Sequence, residues 1–280
     1  MIAGTDLDHV ALAVERHALA WPRYAGELGA RWCSSGEGMG FAPAQVSFEG
    51  GMRVEILAPA RVAENDFLRR FLDGNGPGPH HLTFKVADLR GALAEVRDAG
   101  YQPVAVDVSS DPYWLEAFLH PRDALGIVIQ LAQASGPPWQ TATPEGYPAA
   151  PPMGTATLVH VAHCARDLRA ALALFGGLLG GREVRRGRDR GSRWIDLRWP
   201  GPGRLRLVEP DGPDSPLAAW LGDRTGRLHH LAFSCRDPSS LRGADARRDG
   251  IWEVPPEANF GTRLLLASSE QQAFWAVDQG

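Results

Sequence analysis

The sequence predicts an α+β protein in which one domain occurs twice in tandem, and three observations carry that prediction. A double histidine enters a strand-like run in "GPGPHHLTFKVADL" (76–89) and again in "TGRLHHLAFSCRDP" (225–238). The likeness spreads outward from both pairs: "VEILAP" matches "LRLVEP", and "LDHVALAVERHALAWPRYAGELGARW" matches "LVHVAHCARDLRAALALFGGLLGGRE". Within each half, two-residue alternation and helical spacing follow one another, so each quarter reads as a strand, a helix and further short strands. Self-similarity of this kind decides architecture before any single motif does. Residues 1–132 and 155–280 therefore read as two copies, joined by a linker over 133–154. That linker, "QASGPPWQTATPEGYPAAPPMG", is rich in Pro, Gly, Ser and Ala without apolar periodicity, and its prolines favour an extended path.

The elements of the first copy follow in order. Side chains two apart share a strand face. In "LDHVALAV", Val10, Leu12 and Val14 form one face and His9, Ala11 and Ala13 the other. In "RVEIL", Val54 and Ile56 leave Glu55 opposite. In "HHLTFKV", Leu82, Phe84 and Val86 leave His81, Thr83 and Lys85 together. "DLRGALAEVRDAG" carries Leu89, Leu93 and Val96 at helical spacing, with Gly100 placed to end the helix. In "GIVIQL", Ile127, Ile129 and Leu131 leave Val128 and Gln130 on the second face. The polar candidates thus share the faces that do not pack on helices, with small residues between them, as in a lined cavity.

Bulk properties narrow the function. A chain of 280 residues with 44% hydrophobic residues can supply a core to two domains. A formal charge of −4 and a pI near 6.1 offer no basic field for a phosphate backbone, which excludes nucleic acid as the expected partner. The N-terminus shows no leader pattern and no run reaches the length of a membrane span, so a soluble cytoplasmic protein without a membrane partner is expected. Cys33, Cys164 and Cys235, scattered without CxxC spacing, fit a reducing compartment and small buried positions. "GEGMG" lacks the strand-turn-helix context of a nucleotide loop, and neither GxSxG nor HExxH occurs.

On these motifs the chain resembles the vicinal oxygen chelate superfamily, which comprises the glyoxalase, bleomycin-resistance and extradiol-dioxygenase fold. The resemblance covers nearly all of both copies. Its first copy is most similar to methylmalonyl-CoA epimerase-like members through "LDHVALAV", "VEILAP", "GPHHLTFKV" and "FLHPRDALGIVIQL". The resemblance implies that each copy holds two βαβββ units forming a cup-shaped mixed sheet with helices outside. It also implies a divalent metal on the cup floor, held here by His9, Glu55, His81 and Gln130. Two imidazoles, a carboxylate and an amide oxygen suit Zn, Co, Ni, Mn or Fe and leave positions for substrate oxygens. Thr83, Lys85, Trp114 and Val128 are then expected to line the substrate space.

The same positions in the second copy are His160, Arg206, His230 and Leu265. A permanent cation in place of the carboxylate repels a metal ion, so this cup is expected to lack one and to serve structure, or to use His160, Arg206 and His230 as an anion pocket. The run from Arg182 to Trp194 reads as an exposed hairpin loop.

What the resemblance implies chemically is isomerase or lyase action on a small oxygenated substrate, with Glu55 or Glu116 as the proton-transferring group. Epimerase-like members carry a carboxylate on the eighth strand and another near the third. This chain has Gln130 at the first position and Pro43 or Ala44 at the second. Two alternatives remain open: an Fe(II) extradiol-type dioxygenase using two histidines and a carboxylate, and a ligand-sequestering protein of the bleomycin-resistance type. Tandem copies allow a monomer, with a homodimer as the other expectation.

Overall fold

The computed structural model describes residues 1–111, 113–136, 139–189 and 191–270. Residues 271–280, which the repeat assigns to the second copy, lie outside the described residues, as does Arg190 within the arginine-rich run. Two eight-stranded mixed sheets dominate. The first contains β1 (Asp6–Ala13), β2 (Arg31–Ser35), β3 (Ala42–Ser47), β4 (Arg53–Ala58), β5 (Gly78–Lys85), β6 (Pro103–Asp107), β7 (Trp114–Leu119) and β8 (Val128–Ala134). Their spatial order is β2-β3-β4-β1-β5-β8-β7-β6, with β1 antiparallel to β5 at the centre.

The second sheet repeats that order with β9 (Thr157–Ala165), β10 (Arg182–Asp189), β11 (Ser192–Arg198), β12 (Arg204–Pro210), β13 (Gly226–Ser234), β14 (Asp245–Ala246), β15 (Trp252–Val254) and β16 (Leu264–Ala267). The tandem α+β architecture expected from the repeat is therefore present. Two local expectations are corrected. The stretch after β13, "RDPSSLRGADARRDG", opens with a short 3-10 turn over Pro238–Ser240 where its counterpart forms a helix. It lacks the repeated apolar positions that bury Leu89, Ala92, Leu93 and Val96 in that counterpart, helix α3 (Leu89–Asp98). The arginine-rich run is a partly exposed hairpin, but one of paired strands and not of loop: β10 and β11 pair from Arg182 opposite Arg198 to Asp189 opposite Ser192, with one register shift between Glu183 and Arg185.

One face of each sheet contributes to a single apolar core shared by the two copies. The first helical segment, α1 (His17–Trp21), continues as a wider turn over Pro22–Glu27, and the second copy repeats this with α4 (Leu168–Leu172) and Ala173–Leu178. Each segment reaches the other copy: Phe175 packs on Phe84 at 6.2 Å between ring centroids, and Asn259 donates to the Tyr24 hydroxyl at 3.2 Å. Backbone bonds from Ile2 to Leu178 (2.9 Å) and from Ala156 to Leu28 (2.8 Å) complete the join. The linker is pinned as well, since Tyr147 stacks edge-on against Trp21 and Trp32 and donates its hydroxyl to the Ala30 carbonyl at 2.8 Å. In α2 (Phe67–Asn75), Leu68 and Leu72 pack with Ala11, Ala13 and Leu57.

Candidate metal centre

The floor of the first cup is the four-strand stretch β4-β1-β5-β8. Register sets two rows across it: Ala11 lies between Glu55 and His81, with Val128 beyond, and His9 lies opposite Thr83, which lies opposite Gln130. Ala11 supplies no more than a methyl group at the centre, so the larger side chains on either side converge above it. His9 Nε2 is 3.6 Å and His81 Nε2 3.5 Å from the same Glu55 oxygen. All three residues are buried, and their ligating atoms lie within 4.8 Å of one another.

Hydrogen bonds complete the floor. Gln45 donates to the other Glu55 oxygen at 3.1 Å. The Thr83 hydroxyl is 2.8 Å from His9 Nε2 and donates to Gln130 Oε1 at 2.5 Å, and Gln130 Nε2 donates to Glu116 at 2.7 Å. Trp114 Nε1 donates to the same Glu116 oxygen at 2.8 Å. Along this chain Gln130 meets His9 through Thr83.

Electrostatics divide the two histidines. Burial disfavours charge on His9, but the Glu55 carboxylate and the hydrogen bond to Asp8 outweigh it and raise its pKa to about 9. Glu55 is likewise pushed up by burial, yet the His9 charge brings it down to about 2. His81 moves well below the ordinary histidine value because burial is reinforced by His80 and by charged His9. Its Nε2 is buried without a hydrogen-bond partner. A buried carboxylate flanked by two imidazole nitrogens, one of them lacking a hydrogen bond, fits a divalent transition ion. Glu116 is raised, chiefly by burial.

Most residues singled out from sequence face this cup. Lys85 does so too, but its ammonium sits 3.0 Å from Asp8, whose other contacts are Arg53 at 3.4 Å and His9 Nδ1 at 2.8 Å. Asp8, Gln45 and His80 were not among the residues expected from sequence. Gln45 stands opposite Glu55 in the strand pair, so the register of β3 is the signal that finds it. Pro43 and Ala44 pair with Leu57 and Ile56 and bring no carboxylate.

Residues 8–112 match the family model described as the glyoxalase/bleomycin resistance protein/dioxygenase superfamily. A mutant of 4-hydroxymandelate synthase from Streptomyces coelicolor superposes over 96% of both chains with a TM-score of 0.64 at 16% identity. The chain has the vicinal oxygen chelate fold. Methylmalonyl-CoA epimerase from Mycobacterium tuberculosis aligns over 49% of this chain and 94% of its own, at 26% identity and a TM-score of 0.43. A variant of the Streptomyces coelicolor methylmalonyl-CoA epimerase, in complex with 2-nitronate-propionyl-CoA, aligns over 47% of this chain and 98% of its own, at 22% identity and a TM-score of 0.42. No curated protein matches in sequence.

The second vicinal oxygen chelate cup keeps the scaffold and fills its centre. Arg206, 0% exposed, donates to Asp196 from Nε at 2.7 Å and from Nη2 at 2.9 Å, and its guanidinium lies 4.6 Å from the Trp194 ring centroid. Arg185 joins the same carboxylate at 2.8 Å. The charge expected to repel a metal or to hold an anion is thus engaged by a carboxylate of its own chain. His160 and His230 remain buried beside it, 5.4 Å apart between centroids. Leu265 pairs with Ala232, so neither Gln130 nor Thr83 has a polar counterpart.

Proposed function

We propose that the first cup is a divalent-metal site that catalyses isomerase or lyase chemistry on a small oxygenated substrate. The observation that carries this reading is the convergence of His9 Nε2 and His81 Nε2 on one Glu55 oxygen. His9, Glu55 and His81 would hold the ion, with the Gln130 amide oxygen as fourth donor. A bound ion supplies Lewis-acid stabilisation of negative charge developing on substrate oxygens.

This chain's own groups would do the remaining work. Glu116 has a pKa raised mainly by burial and sits at the end of the Gln130 amide, where it is suited to take a proton from substrate and return it. Trp114 fixes that carboxylate and walls the space, while Thr83 and Val128 form its floor. Ion pairing with Asp8 holds Lys85 at the edge of the cup, where it would meet an anionic end of the substrate. Such a protein would work on small molecules in the cytoplasm, where its free thiols Cys33, Cys164 and Cys235 stay reduced. Among the described residues no helix is long and apolar enough to cross a membrane.

Two histidines and one carboxylate also form the ligand count of non-haem iron(II) oxygenases, which makes an extradiol-type dioxygenase the second reading. Elemental analysis of untagged protein separates these readings. About one tightly held ion per chain, lost in Glu55→Ala, supports the site, and the element found selects between isomerase or lyase and oxygenase assays. No uptake after incubation with Zn, Mn, Co, Ni or anaerobic Fe(II) overturns it and leaves ligand sequestration.

A further inference from the structure

A regular strand cannot turn two successive side chains towards one face, yet the first cup does so beside each metal-facing histidine. The register between β1 and β5 shifts between Leu7 and His9, which leaves Asp8 unopposed. It shifts again where Ala11 pairs with His81 and Leu12 with Pro79, which leaves His80 unopposed. Both shifts are β-bulges, and a bulge re-aims the extra side chain. Asp8 Oδ2 comes to lie 2.8 Å from His9 Nδ1, and His80 Nδ1 lies 2.9 Å from His81 Nδ1. Each histidine therefore has Nδ1 engaged by its own predecessor in the chain and Nε2 near Glu55.

We propose that Asp8 is a positioning residue of the metal centre, holding His9 with its hydrogen on Nδ1 and its Nε2 lone pair towards the ion. Lys85 and Arg53 steady Asp8 from its other oxygen. A carboxylate on the far nitrogen of a metal-binding histidine fixes the tautomer and ring orientation and raises ligand basicity. The inference rests on the metal reading above.

The second cup supplies an internal comparison. Its first strand has the same bulge, because Leu158 pairs with Phe233 and His160 with Ala232, leaving Val159 unopposed. His229 and His230 keep their Nδ1 contact at 2.8 Å. The bulges and the double histidine thus persist in a cup that has Arg206 in place of Glu55 and Leu265 in place of Gln130. What is lost along with those donors is the carboxylate at the Asp8 position. The bulge belongs to the fold, and Asp8 belongs to the ligand set.

Val159 also shows that the bulge accommodates valine, which makes Asp8→Val the variant of choice. Ion affinity of the full chain is measured with Co(II) and Zn(II) by chelator competition, beside the thermal midpoint of the metal-free protein. Asp8→Val is expected to weaken affinity by roughly 10 to 100-fold, with Asp8→Asn in between because its amide oxygen still accepts from Nδ1–H, and Lys85→Met within about threefold of wild type. Proton NMR of the Co(II) protein is expected to show shifted, exchangeable Nδ1–H signals from His9 and His81, with the His9 signal absent in Asp8→Val. A folded Asp8→Val protein that binds the ion as tightly as wild type, or keeps both signals, overturns the inference while leaving the metal reading intact. Wild-type protein that takes up neither ion refutes the metal reading and this inference with it.

Discussion

Replacing Asp196 by alanine tests whether the second cup is a structural element filled by its own ion pair. Arg206 is fully buried and donates two bonds to that carboxylate, at 2.7 and 2.9 Å, while Arg185 adds two more at 2.8 and 3.1 Å. Removing the carboxylate deletes one partner of a buried ion pair, a change that costs about 3–5 kcal/mol. Arg185 adds little, because its side chain is 30% exposed and can turn to water. At about 2–4 °C per kcal/mol for a chain somewhat shorter than this one, the thermal midpoint should fall by roughly 6 °C or more. The double variant Asp196→Leu with Arg206→Met replaces both partners by apolar groups and should recover most of that loss. Urea unfolding at neutral pH measures both effects, and elemental analysis of the same samples should show unchanged metal content. A loss below about 1 kcal/mol in Asp196→Ala refutes the reasoning about burial. A loss of metal refutes the assignment of the ion to the first cup alone.

The metal-free protein should also respond to pH through the first cup. His9, raised to about 9, contributes stability that is complete below the unfolded value of about 6.5 and is lost as pH rises through about 9. Glu55, held near 2, contributes above about 4.5 and loses its contribution as pH falls towards 2. Chelator-treated protein should therefore show a urea midpoint that declines between about pH 7 and pH 9.5, and a flat or rising midpoint contradicts the charge assignment. Glu116→Gln should leave ion content at the wild-type level while abolishing turnover of any substrate found, since its carboxylate reaches the site through the Gln130 amide; loss of the ion in that variant would make Glu116 a ligand instead. Tyr147→Phe removes the hydroxyl bond to Ala30 and should cost about 0.5–1.5 kcal/mol by urea unfolding, with no effect on the ion.

What was legible in the sequence depended on periodicity. The repeat around the two histidine pairs disclosed the tandem architecture because both copies kept the same strand faces. The resemblance singled out His9, Glu55, His81 and Gln130, and alternation placed each on the face opposite an apolar row; of these, His9, Glu55 and His81 lie together in the structure. Asp8 and His80 were not legible, since strict alternation assigns them to the opposite face and only the bulges, which the sequence does not announce, bring them round. Gln45 was hidden by a different cause: pairing between β3 and β4 is set by tertiary register, which composition does not carry. In the second copy the loss of Glu55 and Gln130 could be read from Arg206 and Leu265, but the identity of the group that neutralises Arg206 could not. Asp196 lies on the neighbouring strand, and only the register of β11 on β12 sets it against the guanidinium.

The most direct test of the central claim is the ion stoichiometry of His81→Ala beside His230→Ala, both stripped with chelator and reloaded with Co(II) under equilibrium dialysis. The two residues hold the same position in the two copies, so folding effects are matched as closely as the molecule allows. The account predicts about one ion per chain in wild type and in His230→Ala, and none held tightly in His81→Ala. Equal retention or equal loss in both variants would contradict it.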